Sequence, residues 1–320
     1  MRATGVGSMP GEDYAESVKA VLGTLDDLAF VPELPARGVG AQMIGRSLAF
    51  LEGLGADLQP GGWRLLDASG VDHRRARSLL AQDLDVVEEL AQGRQGAVKQ
   101  QVAGPWTLAA TVELQRGEKV LSDHGARRDL AHALASGLTD HVASLRRRFP
   151  GAELVLQVDE PLLPAVLSAQ VPTSSGFGRY RTVHPPEADA LLRVVVDAVR
   201  AAGARPVVHS CAPDLPVTLL RGAGFDAISF DLSLDTSSGG DAWAEAFEAG
   251  TDLWPGILPS TDAMLDPAAS RRTLEAWFDR LGFAEDAWHD RVVVTPSCGL
   301  AGATPAHARQ VLAELAALAG

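Results

Sequence analysis

The sequence is poor in cysteine, in positive charge and in long apolar runs, and each shortage removes a class of protein. Only two cysteines occur, Cys211 and Cys298. That is too few for a disulfide-stapled scaffold. Lys and Arg number 28 against 41 Asp and Glu, a formal net charge of -13. Phosphate contacts need clustered Lys and Arg, so nucleic acid is not an expected partner. The same charge disfavours an anionic membrane surface. No uninterrupted run reaches the roughly 18 apolar residues of a membrane span. Arg2 has no apolar run behind it, so no secretory signal is read and a cytoplasmic chain is expected.

What is present is 46% hydrophobic residues over 320 positions, ample for one barrel or two smaller domains. The 32 glycines and 19 prolines fall in many short connectors rather than one linker. Eight short runs, most of them rich in Val, Leu or Ile, recur along the chain: Ala3–Gly7, Asp27–Val31, Ala97–Val102, Glu153–Val158, Arg205–Val208, Asp226–Phe230, Asp252–Ile257 and Arg291–Val294. Buried parallel strands read this way. Helical patterns separate most of them, including Tyr14–Leu25, Ala76–Gln92, Ala188–Ala202 and, after the last run, His307–Leu318. The expectation is one α/β domain over residues 1–320, a (β/α)8 TIM barrel. A doubly wound open sheet is the runner-up. It would normally carry a Gly-rich phosphate turn after its first strand, and Gly5-Val6-Gly7-Ser8 lacks the third glycine.

Two stretches exceed a simple crossover. Residues 34–96 form an insertion after the second strand, with a turn at Gln59-Pro60-Gly61-Gly62, placed to lid one end of the barrel. Val171–Val183 is a second irregular insertion.

In such barrels the active site lies at the C-terminal strand ends. The first strand delivers Ser8 there, the second Glu33, the fourth Asp159 and Glu160. The fifth delivers His209 and Cys211, the sixth Asp231, the eighth Cys298. His209, Cys211, Asp231 and Cys298 make a sensible zinc set of thiolate, imidazole and carboxylate. Residues two apart in extended chain share a face, so His209 and Cys211 can point at one ion. Each also has a plainer reading. Cys298 alone would be core filler, Asp231 or Ser8 a cap, Glu33 a surface carboxylate, and Asp159-Glu160-Pro161 a strand-ending turn. The stronger argument is joint: both cysteines fall at strand ends, one beside a histidine.

Five segments carry a resemblance. Gly7-Ser8-Met9-Pro10, Val158-Asp159-Glu160-Pro161, His209-Ser210-Cys211, Asp226-Ala227-Ile228-Ser229-Phe230-Asp231 and Pro296-Ser297-Cys298-Gly299-Leu300 occur in that order. Together they resemble the C-terminal catalytic half of cobalamin-independent methionine synthase, in the wider group that includes uroporphyrinogen decarboxylase. The resemblance implies a zinc-dependent transfer of a methyl group to the sulfur of homocysteine or a related thiol. It implies zinc ligation by His209, Cys211 and Cys298, with Asp231 where the family usually has Glu. It implies that Ser8 and Asp159 hold the amino-acid substrate's polar groups and that Glu33 contacts its α-amino group.

Two departures stand out. Full-length members carry an additional N-terminal barrel that helps grip the folate donor, and these 320 residues hold none. The family's Asp-Ile-His-Ser segment, whose His protonates the leaving group, reads Gly256-Ile257-Leu258-Pro259-Ser260 here. A leaving amine needs a proton, so the donor is expected to be either methyltetrahydrofolate, with His184 or Asp262 as substitute acid, or a methyl-corrinoid protein. Gly104-Pro105-Trp106-Thr107 also resembles a segment of the decarboxylase branch. That alternative is a metal-free lyase using arginines such as Arg2, Arg37, Arg179 and Arg181. A third is a non-catalytic sensor of thiol or metal. Trp106 is expected to pack rather than stack on a ligand.

Overall fold

The computed structural model describes residues 1–235 and 240–320. Among the described residues there are ten strands: β1 (Arg2–Ala3), β2 (Leu28–Phe30), β3 (Gly55–Gln59), β4 (Gly62–Leu66), β5 (Ala97–Ala103), β6 (Leu154–Asp159), β7 (Arg205–Ser210), β8 (Ala227–Asp231), β9 (Asp252–Leu258) and β10 (Val293–Pro296). Eight of them form one sheet in the order β1-β10-β9-β8-β7-β6-β5-β2, with every pairing parallel. The ends meet through a bridge between Ser8 and Glu33, where Glu33 N donates to Gly7 O (3.0 Å) and Met9 N to Glu33 O (2.8 Å). With helices around it, the sheet is a (β/α)8 TIM barrel.

Side-chain alternation explains two separate apolar cores. Inside the barrel floor lie Leu28, Ala97, Val155, Val207, Ala227, Trp254 and Val293. A larger core fills the space between sheet and helices. The first strand is shorter than expected: its ladder covers Arg2–Ala3, with Thr4 N reaching Val294 O at 3.1 Å. The rest of that small-residue run is extended but shaped by neighbours. A Cβ on Gly5 would stand 2.3 Å from the Phe30 ring, and one on Gly7 2.6 Å from the Gln101 side chain.

Four of the helices begin at side-chain caps. Asp13, Asp123, Asp266 and Thr304 cap helices Tyr14–Leu22, His124–Arg148, Pro267–Leu281 and Pro305–Ala319. Helix Pro185–Ala202 stops at Gly203, in the left-handed region at φ 89°.

Residues 34–96 hold more than the expected helix. A short 3-10 helix at Pro35–Arg37 comes first, then helix Met43–Leu48, then the antiparallel hairpin β3–β4, turning at Pro60-Gly61, then helix Val71–Leu90. The segment lies against the C-terminal strand ends. Ser47 Oγ accepts from Ala103 N (2.7 Å), and Leu65 N donates to Glu113 O (2.8 Å) beyond β5.

Candidate metal centre

His209 ends the inward-facing register of β7, beside Asp159 on β6 and Ser229 on β8. Ser229 Oγ lies 2.9 Å from His209 Nδ1. The ring is thereby oriented with Nε2 pointing elsewhere. That Nε2 is buried and has no hydrogen-bond partner among the described residues. Two residues on, Cys211 shares the face of His209, and Cys298 arrives from the loop after β10. The imidazole nitrogen and the two sulfurs lie within 4.8 Å of one another. Zinc bonds of about 2.0–2.3 Å place the ligands of one ion within about 4 Å of each other. A contraction of about 1 Å would therefore close this group round a single ion. An orphaned buried nitrogen beside two free thiols is the donor chemistry of such a site.

The two thiols perturb each other. Cys211 beside it pulls the Cys298 thiol down from its ordinary value, with burial opposing and His209 helping. Cys211 moves up, chiefly through Cys298 and then through burial.

Asp231 is not brought into this group. Its Oδ1 accepts from Ser233 N (2.9 Å) and Ser233 Oγ (2.6 Å), capping the turn that follows β8. A short carboxylate reaches the backbone two residues on before it reaches a neighbouring strand.

The remaining site residues complete the mouth beside this group. Ser8 O accepts from Leu300 N (2.9 Å), and Ser8 Oγ would stand 2.1 Å from a Cβ on Gly299. Glycine after Cys298 thus lets Ser8 approach the sulfur loop. Glu33 is buried, and Arg46 Nε lies 3.5 Å from its Oε1. Burial pushes Glu33 up to about 7, with Arg46 opposing and Asp159 adding. Burial likewise pushes Asp159 up to about 6, against the pull of His209 and of a hydrogen bond from Gln157. Glu160 faces away, accepting from Trp106 N (2.9 Å), Thr107 N (2.7 Å) and Thr107 Oγ1 (2.7 Å) at the start of helix Pro105–Thr111.

Other sequence candidates stand apart. Asp262 accepts from Thr304 Oγ1 (2.9 Å), and His184 is exposed at the start of helix Pro185–Ala202. Arg2 pairs with Glu153 at the N-terminal strand ends (3.5 Å) and Arg37 with Asp83 (2.6 Å), while Arg179 and Arg181 are exposed on the 171–183 loop. Trp106 is fully buried, donating to Ala188 O (3.2 Å).

The motifs contain Ser229 without assigning it a role, and they do not contain Arg46, Lys99 or Gln157. Their signal is faint but physical. A polar side chain within a run buried on both faces must point into the barrel or be paired.

The family model of the cobalamin-independent synthase catalytic domain matches residues 76–320. The chain belongs to that family. As a member of the cobalamin-independent synthases, it is a methionine synthase-like enzyme. A B12-independent methionine synthase from Shewanella sp. W3-18-1, solved with selenomethionine, superposes with a TM-score of 0.65 at 14% identity, over 99% of this chain and 96% of that one. A β-galactosidase from the psychrophilic Marinomonas ef1 superposes with a TM-score of 0.51 at 12% identity, over 100% of this chain and 59% of that one. At such identities the likeness speaks to the barrel. A sequence search of curated proteins returned no match. Among the described residues, no helix is long and apolar enough to cross a membrane.

Proposed function

We propose that this synthase transfers a methyl group to the sulfur of homocysteine or a closely related amino-acid thiol, with zinc held by His209, Cys211 and Cys298. The observation that carries the reading is the convergence of those three donors around a buried Nε2 without a partner. Zinc in that position would lower the pKa of an incoming thiol and keep it nucleophilic at neutral pH. Asp231 is proposed as a fourth, weaker oxygen donor, reached when its carboxylate releases Ser233.

The other residues bind and orient. Asp159 and Glu33 would receive the substrate ammonium, since charge-assisted hydrogen bonds are the strong ones. Arrival of a cation also favours the ionised form of two carboxylates that burial holds up. Ser8, between Glu33 and the Cys298 loop, would bind the substrate's polar end beside the sulfur. The residue set suits a methyl donor whose leaving group needs no proton, such as a methyl-corrinoid protein. Asp262 is engaged with Thr304 and His184 is exposed, so neither is placed as the acid that methyltetrahydrofolate would require. The family's product class is consistent with the Shewanella sp. enzyme, which was solved with selenomethionine. The whole described chain is proposed to act as one catalytic barrel in the cytoplasm.

Metal analysis with methyl-transfer assay tests this. Protein expressed with ample zinc should carry about one zinc per chain. C298S should lose most of it, and activity should fall at least about a thousandfold, as removal of several kcal/mol of metal stabilisation implies. Metal-free wild-type protein with full activity would end the proposal.

A further inference from the structure

One buried cation near the mouth has no part in the reading above. Lys99 lies mid-way along β5, fully buried. Its Nζ donates to Val6 O (2.8 Å) and to Gln157 Oε1 (2.7 Å). Gln157 sits two residues before Asp159 on β6, and so on the same face. Its Nε2 donates to Val6 O (2.9 Å) and to Asp159 Oδ1 (2.7 Å).

These four bonds make a directional device. A primary amide can turn over and exchange its oxygen for its nitrogen. A lysine ammonium offers only donors, so it accepts only one orientation of Gln157, with the oxygen facing Lys99. The amide nitrogen is then aimed at Asp159. Reversed, the amide would set its oxygen against the carboxylate and its nitrogen against the ammonium. Lys99 and the Val6 carbonyl therefore together hold the amide nitrogen toward Asp159 Oδ1. The layer beneath is the apolar floor of the barrel, which cannot solvate a charge. Burial pulls Lys99 down to about 7, and Asp159 and Glu33 above it oppose that pull.

We infer that Lys99 and Gln157 are positioning residues for amino-acid recognition: Lys99 locks the Gln157 amide, and Gln157 aims Asp159 at the α-ammonium of the thiol substrate. The inference rests on the proposal that Asp159 and Glu33 receive an ammonium. It makes the Lys99–Gln157 pair a determinant of specificity, selecting amino-acid thiols over thiols of the same length without the amino group.

The test compares homocysteine with its des-amino analogue, γ-mercaptobutyrate, on zinc-loaded enzyme, by KM and by equilibrium binding. Wild type should bind homocysteine more tightly than the analogue. K99M and Q157L should each raise the homocysteine KM about tenfold or more, the scale of a lost hydrogen bond to a charged group. The KM for γ-mercaptobutyrate should stay within about twofold, with zinc content unchanged. K99R, which keeps the charge and the donors, should recover part of the loss. Should K99M fail to fold, Q157L carries the test, because it exchanges one uncharged side chain for another of similar size. Equal rises for both thiols, or no rise for either, would overturn the inference and leave methyl transfer standing. A wild type that does not prefer the amino thiol would instead remove the recognition reading before any variant is made.

Discussion

The two sides of the barrel mouth are built on opposite plans. On the side of β7, β8 and β10, two sulfurs and an imidazole face one another, and His209 Nε2 has no hydrogen-bond partner among the described residues. On the side of β1, β2, β5 and β6, the charged groups come with partners. Glu33 has Arg46, Arg46 has Asp83, and Asp159 has Gln157 with Lys99 behind it. Under the proposed function the first side takes a cation from solution, while the second, which carries basic residues of its own, receives the substrate's ammonium. Metal affinity and substrate recognition should therefore fail independently, and variants can show whether they do.

The largest effect should come from Arg46. It is 2% exposed, bonds Asp83 Oδ2 at 2.6 Å and lies 3.5 Å from Glu33. Arg46 and Asp83, from helices Met43–Leu48 and Val71–Leu90, both belong to the 34–96 segment, and the Arg46–Glu33 contact ties that segment to the site. Removing one member of a buried ion pair leaves the other unpaired and typically costs about 3–5 kcal/mol. Arg37 still holds the other oxygen of Asp83 at 2.6 Å, which puts R46M near the lower figure. Urea unfolding of R46M should show a loss of about 3 kcal/mol with zinc stoichiometry retained in the folded fraction. If R46M abolishes zinc binding while remaining stable, the two sides are not independent.

Ser229 makes the converse test. Its only assigned task is to hold His209 Nδ1, and removing such an outer partner typically weakens metal binding about 10–100-fold. S229A should show that loss in competition with a zinc chelator, and should leave the relative preference for homocysteine over γ-mercaptobutyrate as in wild type. Unchanged zinc affinity would mean that the His209 ring is oriented by packing alone.

Much of this contrast is legible in the sequence, for a reason. Parallel barrel strands are buried on both faces, so they stand out as short apolar runs, and their ends locate the mouth. That logic leads to His209, Cys211, Cys298, Ser8, Glu33 and Asp159. It assigns Asp231 equally well, but local chemistry intervenes, because Ser233 two residues on captures the carboxylate. Hairpin β3–β4 is hidden because Gln59-Pro60-Gly61-Gly62 signals a turn without showing that its flanks pair. The built-in cations are hidden for a different reason. Lys99 and Gln157 interrupt apolar runs and look like noise in a periodicity. Only the register of β5 against β6 shows that an inward polar residue on one meets an inward polar residue on the other. Family motifs report the groups that touch substrate or metal, and are silent on the charges that set them.

The smallest expected effect, in Glu33, measures how far the second side is strained in waiting for its substrate. Burial raises Glu33 from an ordinary 4.5 to about 7. The folded chain therefore holds this proton more tightly than the unfolded chain does. The stabilisation this gives is fully present below about 4.5 and is lost as pH rises to about 7. E33Q cannot titrate and should escape that loss. Arg46 stays anchored to Asp83 in E33Q, so the variant should fold. Between pH 5 and pH 8 in the absence of substrate, wild type should lose about 2 kcal/mol of stability relative to E33Q, read from urea midpoints. Saturating homocysteine should shrink the wild-type loss, because an ammonium beside Glu33 favours its anion. Parallel pH profiles for the two proteins would show Glu33 to be an ordinary solvated carboxylate, and the difference between the two sides of the mouth would collapse.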